Sequence, residues 1–344
     1  MNKILQEDLF HIIDNFDLSA LKDKTVLITG ATGLLGYQMT LLLLTANEVQ
    51  HNNTTVIATS RNLTRLQDKF KEWNDNSNLI LKECDIRQKI DCTENIDYII
   101  HGASITQSKM FVEQPVDTIL TTVEGTRNIL DLAQQKDVKG VVYLSSMEVF
   151  GQVLDDKKLS ESDYGYIDLA NPRSSYSEGK RMAECLCVAY AKQFGVPVKM
   201  VRLAQTVGPG FKYDDTRMVV QFARAAIENH DIVLLTEGKS KCTPIYARDA
   251  LTAILTVLLD GEPGQAYNAA NVAAFASVRE IAETVAHNIA QDKIKVRVEL
   301  NDAMQYPPAY ILNLDTSKLE ALGWKAHVSL KEMYERLIQS LKEI

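Results

Sequence analysis

Residues 25–36, TVLITGATGLLG, limit what this chain can fold into more sharply than any other stretch. Thr25, Val26, Leu27, Ile28 and Thr29 form a short, apolar, β-branched run, which fits a strand buried on both faces. Gly30 ends the run, Gly33 and Gly36 follow at three-residue spacing, and from Leu34 the segment LLGYQMTLLLL carries an apolar stripe of helical period. Strand, glycine turn and helix in that order make a phosphate cradle. Glycine permits a tight bend and lets backbone approach a pyrophosphate, while the helix start presents free N–H groups at the positive end of its dipole. Such a turn can also use three glycines for packing alone; their place between strand and helix favours a dinucleotide. Gly30, Thr32, Gly33, Leu34, Leu35 and Gly36 are the expected cofactor contacts here.

The rest of the chain extends this beginning. Further strands are expected at residues 55–59, 79–81, 98–100, 141–144 and 198–201, alternating with helices at 62–73, 113–135 and 175–194. That alternation predicts an α/β fold with a Rossmann-type, doubly wound parallel sheet. Residues 1–22 read as an amphipathic helix with Leu5, Leu9, Ile12, Ile13 and Phe16 along one side, able to cover the first strand or to mediate a dimer. Beyond Gly210 the pattern loosens, with helices expected at 217–229, 247–259, 277–290 and 330–341 and short strands at 232–235 and 294–298. The expected division is a dinucleotide-binding domain at 1–205, with 243–270 returning to it. A smaller α/β substrate-binding lobe from 206–242 and 271–344 would sit over the carboxyl ends of the sheet.

Composition excludes several classes. With 37 basic and 45 acidic residues, the net charge of −8 argues against nucleic acid and anionic membranes as partners. A small anionic ligand is compatible with that charge, because a local cluster of donors can hold it. The start, MNKILQEDLFHIIDNF, places acidic residues where a signal peptide would be apolar, and no stretch has the length of a membrane span. Cys84, Cys92, Cys185, Cys187 and Cys242 form no CxxC pair, which suits a reducing cytoplasm and gives no metal site.

The second strand ends Ala58-Thr59-Ser60-Arg61, without the carboxylate that would hold the ribose hydroxyls of NAD. Ser60 and Arg61 suit a 2′-phosphate, one by hydrogen bond and one by charge. Arg61 stacked on the adenine would suit either cofactor, and the balance leans to NADP. Asp85, after the third strand, is placed to accept from the adenine amino group or to cap a helix.

Chemistry enters at residues 144–151, LSSMEVFG, where Ser146 and Glu148 point the same way if the strand continues that far. Further on, Tyr176 and Lys180 share one helix face at i and i+4, and of 13 tyrosines only Tyr176 has a lysine at that spacing. A phenol beside an ammonium and an oxidised nicotinamide has its phenolate favoured by both charges. It can then take a hydroxyl proton while hydride leaves the same carbon. Lys180 also offers donors to the nicotinamide ribose, and Ser146 a hydrogen bond to the reacting oxygen. A surface i,i+4 pair without chemistry is the plain alternative.

Taken together, these stretches resemble the extended short-chain dehydrogenase/reductase family, in its nucleotide-sugar epimerase and dehydratase branch. The resemblance rests on Gly30, Gly33 and Gly36, on Asp85-Ile86, on His101-Gly102-Ala103 and on Gly125-Thr126. It continues through Ser145-Ser146-Met147-Glu148-Val149-Phe150-Gly151, Tyr176 with Lys180, Arg202 with Gly208-Pro209-Gly210, and Leu322-Gly323-Trp324. It implies a catalytic Ser146, Tyr176 and Lys180, and a tightly bound NAD or NADP reduced and reoxidised within one turnover. It also places Ile86 and Ala103 against the cofactor, Ser104, Thr106, Ser146, Gln205 and Arg217 around a nucleotide-sugar substrate, and the helices 113–135 and 175–194 at a homodimer interface.

Several positions depart from the family pattern. Dehydratases of this branch carry an Asp after the Ser or Thr, then a Glu; here Met147 replaces the acid and Glu148 keeps the base. A Glu without the Asp resembles decarboxylases and some dehydratases, and is compatible with an epimerase that uses Glu148 only for binding or with a merely solvated carboxylate. Gln205 and Thr122 replace asparagines, and Cys242 beside Lys241 replaces an arginine. No arginine occurs near 304–308, leaving Lys212, Arg217, Lys239 and Lys241 as sources of charge for a diphosphate. The leading reading is an NAD(P)-dependent epimerase or dehydratase working through a transient keto-sugar. An NADPH-dependent sugar ketoreductase and a non-catalytic dinucleotide-sensing protein are the alternatives.

Overall fold

The computed structural model describes residues 1–301 and 309–343, so the arginine-free stretch 304–308 lies outside the described residues. Seven strands form the central sheet: β1 Thr25–Thr29, β2 Thr55–Ser60, β3 Leu79–Glu83, β4 Tyr98–His101, β5 Gly140–Ser146, β6 Val198–Leu203 and β7 Ala266–Ala269. They lie in the order 3-2-1-4-5-6-7, and every neighbouring pair is parallel. This is the doubly wound Rossmann-type sheet that the alternation predicts. The order in which strands are added reverses between β1 and β4, and at such a switch point an open α/β sheet leaves a crevice beyond its strand ends. The edge strand β7 is absent from the sequence reading. Its four residues, AYNA, are all buried, and their strand state comes from pairing with β6.

The helices pack as apolar faces seeking cover. Those used below are α1 Lys3–Asn15, α2 Leu34–Gln50, α3 Leu63–Lys69, α4 Ser108–Glu113, α5 Pro115–Lys136, α6 Ser174–Phe194, α7 Met218–Glu228 and α8 Ala247–Asp260. In α2, Leu41, Leu42, Leu43 and Leu44 are all buried, because the sheet covers one side and α1 the other. Each such leucine contributes roughly 1.5–3 kcal/mol. The apolar side of α1 packs on α2, α8 and the helix Leu330–Lys342 within its own chain. The helix expected at 113–135 is α5, which starts at Pro115, and the short helix α4 just ahead of it is absent from the sequence reading. Asn62 caps α3 as expected, but the helix stops at Lys69 and Lys71–Trp73 is a single 3-10 turn. A second core gathers Val207, Phe211, α7, the segment from Ile281 to Ala290 and the helix Leu330–Lys342. Among the described residues no helix is long and apolar enough to cross a membrane.

Both ends of the chain meet at one buried carboxylate. Tyr246 donates to Asp8 at 2.7 Å, and Arg336 donates to it at 3.0 Å from the helix Leu330–Lys342. Burial raises Asp8 to about 6, against the pull of Tyr246, Arg336 and Arg248. A carboxyl raised in the folded state binds its proton more tightly there than in the unfolded chain. It therefore favours folding at low pH, and that contribution is lost as pH climbs from about 4 to about 6. Urea unfolding should show wild type losing stability relative to Asp8→Asn across that window, by roughly 2–3 kcal/mol. A flat difference between the two proteins would contradict this.

Candidate active site

The cradle is shaped by what its glycines leave out. Gly30 has φ +73°, and a Cβ there would lie 2.8 Å from the Ala103 nitrogen, so β1 and β4 can approach only with glycine in place. A Cβ at Gly36 would lie 2.4 Å from the Gly30 oxygen, which brings the start of α2 directly onto the turn. Gly33 is the extended N-cap residue and supplies no side chain to the first-turn N–H groups. Those donors stay available to an anion. Thr32, Leu34 and Leu35 are half-buried around the turn, and the loop of Gly208-Pro209-Gly210 is tied to α2 by Gln38, which donates to the Pro209 oxygen at 2.7 Å. A turn closed by glycine contacts with an uncapped helix start fits a dinucleotide pyrophosphate. Gly36→Ala must push α2 off the turn, and reduced-dinucleotide affinity measured by fluorescence should fall on the order of tenfold or more. Unchanged affinity would contradict the close fit.

A buried chain of hydrogen bonds fixes the bend after β4. The Ala103 N–H donates to Thr29 Oγ1 at 3.2 Å, so the Thr29 hydroxyl gives its own hydrogen to His101 Nδ1 at 2.7 Å. His101 Nε2 then faces Thr126 Oγ1 at 3.3 Å, and Thr126 donates to the Thr122 oxygen at 2.6 Å. Burial, and then the Lys180 charge, push His101 down to about 3, so the ring is neutral and this tautomer satisfies every partner. Gly125 makes room beside it: a Cβ there would lie 2.4 Å from the Ile86 side chain, whose carbonyl accepts from Asn128 at 2.7 Å.

On the adenine side, Ser60 Oγ accepts weakly from the Asn62 nitrogen at 3.4 Å and Arg61 is exposed, its charge near Asp85. The Asp85 carboxylate is already held by Arg87, from its backbone at 3.0 Å and its guanidinium at 3.1 Å. Burial alone would raise Asp85, but the Arg87 bonds outweigh it and leave the group low.

Ser146, Tyr176 and Lys180 come together at the carboxyl end of β5. Tyr176 is 8% exposed and lies flat on Phe111 of α4, with ring centroids 4.3 Å apart and planes 7° from parallel. The Ser146 hydroxyl faces the phenol closely enough to lower it. Burial and then the Glu148 charge hold Tyr176 well above the ordinary phenol range, while Ser146 and Arg173 pull it down. Lys180 shares the helix face as expected, but its ammonium donates to the Leu144 oxygen at 2.7 Å and stands 5.8 Å from the Tyr176 ring centre. Arg173 is a second cation that lowers the phenol. Lys180 itself is pushed down to about 7 by burial, against Glu184 and Cys187.

The strand does not continue to Glu148. β5 ends at Ser146, and Met147–Phe150 is a 3-10 turn in which Ser146 Oγ accepts the Glu148 N–H at 3.2 Å. Nor is Glu148 a merely solvated carboxylate: Arg173 grips it through two bonds of 3.0 and 3.2 Å, and Ser177 donates to it at 3.1 Å. Arg173 and Phe111 are absent from the sequence reading, as is Tyr310, which feels the charges of Glu148 and Arg173.

The expected substrate side is dispersed by comparison. Ser104 lies near Thr122, with their hydroxyls 3.5 Å apart, and Thr106 is exposed on the loop ahead of α4. Gln205 and Cys242, both departures from the family pattern, touch one another at 3.9 Å. Of the cations considered for a diphosphate, Arg217 faces Asp215, Lys239 pairs with Glu237 and Lys241 with Asp156, whereas Lys212 lies near Lys69. Arg202 is structural. It is 1% exposed and paired with Glu184 at 2.7 Å, which also accepts from Ser145 at 2.6 Å, at the floor of a separate cavity of about 580 Å3.

Cradle and phenol thus sit at the carboxyl ends of one parallel sheet, the arrangement of an enzyme that uses a dinucleotide to exchange hydride and proton with a hydroxyl group. The model of the NAD dependent epimerase/dehydratase family matches residues 26–273, and the chain belongs to that family. UDP-glucuronic acid decarboxylase 6 of Arabidopsis thaliana is 30% identical over 311 residues, covering 89% of this chain and 85% of that protein. UDP-glucuronic acid decarboxylase 1 of Danio rerio is 26% identical, covering 94% and 73%. Among solved structures, the UDP-glucuronic acid 4-epimerase of Bacillus cereus, in complex with UDP-glucuronic acid and NAD, superposes with a TM-score of 0.76. It shares 18% identity over 93% of this chain and 99% of that one. The likeness supports the fold.

Proposed function

We propose that this enzyme acts on a nucleotide-linked uronic acid, oxidising its C4 hydroxyl and releasing its carboxylate as CO2. The observation that carries the reading is the pairing of Met147 with Glu148. Eliminating water needs one group to protonate the leaving hydroxyl and another to take the C5 proton, and the thioether of Met147 can do neither. Loss of CO2 from a 4-keto-uronic acid needs no such pair: the C5–C6 bond breaks, its electrons pass into the C4 carbonyl, and C5 then takes a proton. Relatives at 29–30% identity that are UDP-glucuronic acid decarboxylases support the same chemistry.

Tyr176 takes the C4 hydroxyl proton, Ser146 donates to the same oxygen as it becomes a carbonyl, and Lys180 stands 5.8 Å from the centre of the phenol ring on the same helix face. A dinucleotide held by the Gly30, Gly33 and Gly36 cradle would supply a reversible acceptor for the C4 hydride. Glu148 stays paired with Arg173 as the carboxylate nearest the sugar. For the dinucleotide we favour NADP, with Ser60 and Arg61 toward the 2′-phosphate. Arg61→Ala should then weaken NADP at least tenfold while leaving NAD nearly unchanged, as calorimetry would show. Equal effects on the two would remove this preference.

A homodimer belongs to the same reading. Val116, Ile119 and Leu120 on α5 and Met182, Val188 and Phe194 on α6 are exposed apolar side chains on helices that pack together. The unpaired cysteines suit the cytoplasm. The deciding experiment incubates the dinucleotide-loaded protein with UDP-glucuronic acid and follows the nucleotide sugar by mass spectrometry. Loss of one CO2 supports decarboxylation. An unchanged mass with inverted C4 indicates epimerisation, and stoichiometric use of NADPH a ketoreductase; either result overturns the proposal.

A further inference from the structure

We propose that Arg173 is a positioning residue whose fork holds Glu148 beside Tyr176 and cancels the negative charge facing the phenol. This rests on the reading that Tyr176 accepts the substrate proton. Arg173 immediately precedes α6, and Tyr176 and Ser177 follow it by three and four residues, so one side of the helix start carries all three. The turn after β5 delivers Glu148 to that side. Its two carboxylate oxygens take the Arg173 NH1 and NH2 groups at 3.0 and 3.2 Å, and Ser177 closes a third contact at 3.1 Å. A planar guanidinium matches a carboxylate through two parallel bonds, which an ammonium cannot reproduce.

The arrangement resolves a conflict within the site. Glu148 is the carboxylate nearest the chemistry, yet an uncompensated anion beside Tyr176 works against forming a phenolate. Other groups do not relieve it. From α6, Lys180 is turned to the Leu144 oxygen; from β5, Tyr143 is a buried phenol; Phe111 of α4 is uncharged. Tyr310 is another phenol, half-buried and subject to the same two charges. Arg173 offers one cation that both grips Glu148 through a two-bond fork and lowers the Tyr176 phenol.

The test titrates Tyr176 directly, in protein loaded with NAD and without substrate, from tyrosinate absorbance after subtracting a matching Tyr176→Phe version of each variant. Arg173→Met should raise the midpoint by about one pH unit, and Glu148→Gln should lower it. The double variant, Arg173→Met with Glu148→Gln, should return near wild type, and Arg173→Lys should fall between wild type and Arg173→Met. In the presence of substrate the acid limb of single-turnover nicotinamide reduction should move to higher pH by the same amount. An unmoved midpoint in Arg173→Met, or a shift that persists in the double variant, overturns the role given to Arg173. Failure of wild type to reduce its nicotinamide with UDP-glucuronic acid would instead sink the functional reading, while the substrate-free titration still decides between the two roles for Arg173.

Discussion

Tyr176→Phe will bind dinucleotide as wild type does and will lose turnover on the order of 10³-fold, within the range that a general acid–base group supplies. The substitution keeps the ring stacked flat on Phe111, so the aromatic layer against α4 survives. What it removes is the hydroxyl that faces Ser146, the group placed to accept the substrate proton. Because the cradle of Gly30, Gly33 and Gly36 lies at the end of β1 and the phenol near the end of β5, affinity and chemistry separate cleanly in this variant. Fluorescence titration with the reduced dinucleotide and a turnover assay measure the two. A variant that keeps more than a tenth of wild-type turnover would take the phenol out of the mechanism.

Arg202→Met will lower stability by about 3–5 kcal/mol without any contact to the site. Arg202 and Glu184 are nearly sealed from water, and Glu184 also accepts from Ser145. Removing the guanidinium strands a buried carboxylate and leaves the Glu161 carbonyl and the Tyr164 hydroxyl without their donor. Combining Arg202→Met with Glu184→Leu removes the stranded charge and should recover most of the loss, the usual outcome when both members of a buried pair become apolar. Urea unfolding of the single and double variants measures both effects. A single variant as stable as wild type would mean that water reaches the pair.

What could be read before folding follows from where the physical requirement is local. Gly30 and Gly36 are visible in the sequence because a Cβ at either collides with backbone, so the requirement sits in the residue itself. Tyr176 and Lys180 are visible because one helix turn sets their spacing. Arg173 is not, since its importance depends on a turn that follows a different strand, and beside Pro172 it looks like any charged residue at a helix start. Phe111 sits on a six-residue helix too short to announce its buried face. Strand alternation misplaced the relation of Ser146 to Glu148 because β5 yields to a 3-10 turn that only the positive φ of Gly151, +68°, allows the chain to leave. The direction of the Lys180 ammonium is hidden for a similar reason: spacing gives the shared face, but the Leu144 carbonyl decides where the ammonium points.

The central claim is that one phenol removes and restores the proton of a single hydroxyl while hydride leaves and returns to the same carbon. UDP-glucuronic acid carrying deuterium at C4, turned over by dinucleotide-loaded enzyme, tests it most directly. The predicted result is a product that has lost CO2, retains deuterium at C4 and forms with a primary isotope effect, while no reduced nicotinamide accumulates. Product without the label, or reduced nicotinamide growing in step with product, would contradict it.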